Sequence, residues 1–88
     1  MELKDTIEMM QSADYKERFI AEYLQTRIRY NKLFRMCIKY KAGTLNFIPN
    51  CSLELLEEQL NAMRKYLMLL EVRAEIEGID FFEETDNE

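Results

Sequence analysis

The chain predicts an all-α fold: a short N-terminal helix, then a long antiparallel two-helix hairpin that assembles into a homo-oligomer. Three observations carry this. Gly and Pro together number only three in 88 residues, in a composition rich in Leu, Glu, Lys and Arg, which favours helix. Leu53, Leu56, Leu60, Met63, Leu67, Leu70 and Ala74 are spaced 3-4-3-4-3-4, a heptad seam. Helix punctuation falls at the right places: Asp14 and Ser52 as N-caps, Gly43 and Gly78 as stops.

The 88 residues read as one domain. Residues 1–11 form a short amphipathic helix with Leu3, Ile7 and Met10 on one stripe. Asp14, with Glu17 three residues on, resembles a capping box and opens a long helix over 14–42. At about 1.5 Å per residue that helix is roughly 43 Å long. The loop 43–51 contains Pro49, which forbids helix continuation. The second long helix covers 52–77, with Glu54, Glu57 and Glu58 suiting the positive end of its dipole. An acidic tail, 78–88, follows, with Phe81 and Phe82 as the residues to dock.

On the first long helix Phe19, Tyr23, Tyr30, Leu33, Phe34 and Cys37 share one face, flanked by Ile20 and Ile38. The second helix carries a further stripe, Leu55, Ala62, Tyr66, Leu69 and Ile76, beside its seam. One hairpin covers one seam of each helix, so this second stripe predicts an oligomer. A chain this short buries only about 60–65% of its unfolded surface, which points the same way.

Several classes are disfavoured. No apolar run approaches the roughly 20 residues of a membrane span. The start MELKDTIEMM does not read as a signal peptide. Cys37 and Cys51 read as reduced thiols of a cytosolic protein. There is no histidine, no CxxC and no EF-hand pattern, so neither a metal site nor a cofactor is expected. Nothing forms a catalytic constellation, and no enzymatic activity is expected. A net charge of −5 disfavours long nucleic acid as a partner.

That charge is unevenly spread. Residues 16–41 carry eight basic and two acidic side chains, leaving −11 for the rest. Arg18, Gln25, Arg29, Lys32 and Met36 line up along the outer face of the first long helix. Arginine grips phosphate in a bidentate fork, and tyrosine stacks on a nucleobase. The same periodicity also describes a solvated helix face. Arg27 falls near the packed face, where it serves structure or a subunit contact. Arg73 sits among apolar neighbours, to pair with Glu77 one turn on or to meet an anion in an interface cavity. Tyr15 and Arg29 point in similar directions about 20 Å apart along one helix, so they meet around one small ligand only from different subunits.

The first long helix reads Tyr15-Lys16-Glu17-Arg18-Phe19, Glu22-Tyr23, then Arg29, Lys32 and Leu33. The second reads Leu55-Leu56, Gln59-Leu60, Ala62-Met63, Tyr66-Leu67, Leu70 and Arg73. In combination and order, over about residues 14–77, this resembles the small phage-encoded anti-CBASS proteins, which are cyclic-oligonucleotide sponges. The resemblance implies a compact helical homo-oligomer, a hexamer in known cases. It implies binding of cyclic dinucleotides such as cyclic GMP–AMP without cleavage, in the cytoplasm of the infected bacterial host, so that CBASS immunity is blocked. It implies a stacking tyrosine, which falls on Tyr15, and a phosphate-holding basic residue, which falls on Arg29 or Lys32. Lys16 and Arg18 complete that candidate set. Arg73 matches an arginine that lines a separate cyclic-trinucleotide site in some members. The alternative is a helical hairpin that binds protein or nucleic acid and has no cyclic-nucleotide role.

Overall fold

The computed structural model describes residues 1–81. A 3-10 turn, Leu3–Thr6, leads into α1, Ile7–Met10; α2 spans Tyr15–Ala42 and α3 spans Leu53–Glu77. The described residues contain no strand. The all-α class and the two long helices follow the expectation.

The caps form as hydrogen bonds. The Asp14 side chain accepts from the Lys16 backbone N–H at 3.0 Å, and Ser52 Oγ accepts from the Leu55 N–H at 3.1 Å. Glu17 does not complete a capping box on Asp14; the Asp14 N–H instead donates to Ser12 Oγ at 3.0 Å. Glu2 and Asp5 make a capping box ahead of the 3-10 turn. Gly43 and Gly78 end α2 and α3 with φ of 79° and 72°, left-handed values that glycine adopts without a Cβ penalty.

The antiparallel pair buries the heptad seam. Leu60, Leu67, Leu70 and Ala74 are buried, and Leu53, Leu56 and Met63 are half-buried. Leu67, Leu70 and Ala74 cluster with Phe19 and Tyr23 of α2, where Cys37 is buried too. Past Gly78 the chain turns back: Ile79 is buried, and the Phe81 ring stacks on Tyr23 at 3.8 Å and on Phe19 at 5.8 Å between centroids. The expectation for Phe82 lies outside the described residues.

Two expectations are corrected. Ile7 and Met10 of the N-terminal stripe are exposed rather than buried. Thr6 docks instead, at 0% exposure. Its Oγ1 donates to the Leu3 carbonyl at 2.7 Å and accepts from Gln25 Nε2 at 3.1 Å. Gln25 also donates to Met10 Sδ. Ala21, one turn before Gln25, is wholly buried. Phe34 and Ile38 are exposed rather than packed, because they lie round the helix from Cys37. The second stripe of α3 is exposed as expected: Leu55, Ala62, Tyr66, Leu69 and Ile76, the last at 78%.

Both cysteines are free, Cys37 buried and Cys51 exposed. Among the described residues no helix is long and apolar enough to cross a membrane. Leu70, at 1% exposure, is the most deeply set seam leucine. Leu70→Ala is expected to lower unfolding stability by about 2–5 kcal/mol, read from urea unfolding at fixed protein concentration.

Candidate functional site

A hairpin folded about residue 47 sets position 23 opposite 71 and position 30 opposite 64. Each of three α2 tyrosines then reaches across to α3. Tyr23 donates to Glu71 Oε2 at 2.6 Å and accepts from Arg27 Nη1 at 2.7 Å. Tyr30 accepts from Arg64 Nη2 at 3.0 Å. Tyr15 donates to Glu77 Oε1 at 3.0 Å and accepts from Arg73 Nη2 at 2.9 Å. The polar ends of these rings tie the two helices at their rim.

The Tyr15 cluster holds two candidate residues. Arg73 lies 4.7 Å above the centre of the Phe19 ring, and its Nε is 3.6 Å from Glu77 Oε2. Tyr15 and Phe19 are 5.9 Å apart, tilted by 58°. The resemblance implies separate sites for Tyr15 and Arg73, but within one chain the two are in direct contact. Sequence reasoning missed this. The signal was available: hairpin register about residue 47 brings the start of α2 to the end of α3. Of the two open readings for Arg73, pairing with Glu77 is the one seen within the chain.

Tyr15 remains 46% exposed, so its ring offers a face while its hydroxyl is anchored. Arg73 is already neutralised by Glu77 and cradled by an aromatic face. An anion at this guanidinium competes with the carboxylate.

The other candidates stand apart. Arg18 Nη1 donates to the Ser12 carbonyl at 2.9 Å, fixing the turn before α2. Gln25 is occupied by Thr6. The outer face expected to run from Arg18 to Met36 is therefore covered at its first half by the N-terminal segment. Lys16, Arg29 and Lys32 are exposed and have no ion pair among the described residues. Arg27 serves structure, 3.6 Å from Glu71. Lys41 pairs with Glu57 at 2.6 Å; that hydrogen bond raises the Lys41 pKa. Lys32, with Arg35 and Lys39, lines a groove of about 390 Å³ whose other wall is the loop after α2; Arg29 lies outside it. No group of three or more His, Cys, Asp or Glu among the described residues is placed to hold a metal ion.

Burial raises the Tyr23 pKa, with the hydrogen bond to Glu71 adding to it and Arg27 opposing. The folded state thus favours the neutral phenol. That contribution is fully present below the ordinary tyrosine value and is lost as pH rises above it. In a tyrosinate absorbance titration one of the five tyrosines is expected to ionise last, and Tyr23→Phe to remove that late step. A single common step for all five would contradict this.

A protein-family model described as Sequestin matches residues 13–76. No curated protein and no solved structure matches the chain.

Proposed function

The chain belongs to the Sequestin family, and we propose that it binds and sequesters cyclic dinucleotide second messengers without cleaving them. Sequestration of this kind starves the effectors of CBASS immunity in the cytoplasm of an infected bacterium. The family's name speaks of sequestration. The matched span also coincides with the residues that resemble the anti-CBASS sponges.

The observation that carries the reading is the Tyr15 corner. An exposed ring is anchored by its hydroxyl at the mouth of a rigid hairpin. A preorganised aromatic face stacks a base with little ordering cost. The phosphate comes from Arg29 or Lys32 of another copy. Both lack a counter-ion among the described residues. Both lie about 20–25 Å along α2 from Tyr15 at about 1.5 Å per residue, too far to share one small ligand within a chain. The exposed stripe Leu55, Tyr66, Leu69 and Ile76 supplies apolar surface for pairing copies, with a hexamer as the expected assembly. Lys16 and Arg18 flank the base. Cyclic trinucleotides use Arg73.

Calorimetric titration with cyclic GMP–AMP tests the proposal. Saturable heat at tens of micromolar protein is expected, and no heat with any cyclic dinucleotide would overturn it. Base stacking contributes about 1–3 kcal/mol per base, so Tyr15→Ala is expected to weaken binding at least tenfold while the oligomer keeps its size by light scattering. Unchanged affinity would remove Tyr15 from the site.

Arg73→Ala is expected to leave cyclic dinucleotide affinity within about threefold, since Glu77 still holds the Tyr15 hydroxyl, and to weaken cyclic trinucleotides. Glu77→Gln acts oppositely. It releases Arg73 from an exposed pair worth about 0–1 kcal/mol and is expected to tighten trinucleotide binding by up to about fivefold. A weakening would show that Glu77 positions Arg73 rather than competing for it.

A further inference from the structure

Arg29, Lys32, Arg35 and Lys39 of α2 have no acidic partner among the described residues. Like charges three and four residues apart disfavour a helix, and no carboxylate lies between them. The fold itself does not account for this row. Three of the four converge. Lys32, Arg35 and Lys39 face the segment Thr44–Phe47, and together they enclose the groove of about 390 Å³.

The loop wall is fixed by the helix it follows. After the left-handed turn at Gly43, the Thr44 N–H donates to the Lys39 carbonyl at 2.9 Å. Met36, Leu45 and Phe47 supply the apolar lining. The Phe47 ring is 54% exposed, an aromatic face set beside three uncompensated cations. Such a combination selects a ligand that is flat and apolar at one end and anionic at the other. The volume is near the lower end of the roughly 300–1,000 Å³ of small-molecule sites, which suits a single nucleotide unit.

We propose that this groove is a nucleoside-phosphate site, with the phosphate on Lys32, Arg35 and Lys39 and the base against Phe47. It lies at the loop end of the hairpin, about 25 Å or more from Tyr15 along α2 at about 1.5 Å per residue. It stands independently of the cyclic-dinucleotide reading, with which it shares only Lys32. Free cations at the rim draw in the anion, and the ring sorts nucleotides from bare phosphate.

The test uses the full ¹⁵N-labelled chain, titrated separately with adenosine monophosphate, inorganic phosphate and adenosine. The nucleotide is expected to shift the amides of Lys32, Arg35, Lys39 and Thr44–Phe47 saturably, at least tenfold more tightly than either fragment. Phe47→Ala is expected to reduce the nucleotide to the level of phosphate, and Lys32→Gln with Arg35→Gln to abolish its binding. Should the double variant lose helicity, the wild type decides: salt should weaken the nucleotide and not adenosine. Phosphate binding as tightly as the nucleotide would reduce the groove to a general anion patch and overturn the proposal. Adenosine binding equally, shifts confined to the Tyr15 end, or no saturation would overturn it as well.

Discussion

The antiparallel seam between α2 and α3 is the constraint on which the rest depends. Leu67, Leu70 and Ala74 close onto Phe19 and Tyr23, and Phe81 seals the open end. Burying one such leucine stabilises by about 1.5–3 kcal/mol, whereas an exposed ion pair contributes about 0–1 kcal/mol. The apolar seam therefore decides the register. The tyrosine hydroxyls and their arginines then settle into the positions that register provides.

Register in turn decides electrostatics. It places Glu71 beside Arg27 and Glu57 beside Lys41, while Glu77 meets Arg73 one turn along the same helix, so the cations nearest the packed face are neutralised. The cations on the outer face of α2 are not. An acidic chain thus presents a row of cations without an ion pair along α2, Arg29, Lys32, Arg35 and Lys39, which draws in anions without making the whole surface basic. Arg73 differs from Arg29 and Lys32 in this respect: its capacity for an anion is held in reserve by an internal carboxylate.

Much of this was legible in the sequence because it rests on local chemistry. The heptad spacing of α3, the Asp14 and Ser52 caps and the two glycine stops each depend on residues within a turn of one another, and each appears as read. The N-terminal stripe failed because periodicity ranks Ile7 and Met10 above Thr6, while the Thr6 hydroxyl is the group that Gln25 of α2 holds and the fold buries. The contact between Tyr15 and Arg73 spans 58 positions and required the hairpin register, which helical periodicity within each segment does not supply. The groove was hidden for the same reason: the loop chemistry of Leu45 and Phe47 and the helix chemistry of Lys32, Arg35 and Lys39 meet only after Gly43 turns the chain.

Sequestration without cleavage, as proposed, returns the ligand intact. The most direct measurement incubates the protein with cyclic GMP–AMP, separates free from bound, denatures the bound fraction by heat and analyses the nucleotide by chromatography. Free ligand is expected to be depleted in proportion to protein, and the released nucleotide to be chemically unchanged. Linear or shortened products, or no depletion at protein in excess over ligand, would contradict it.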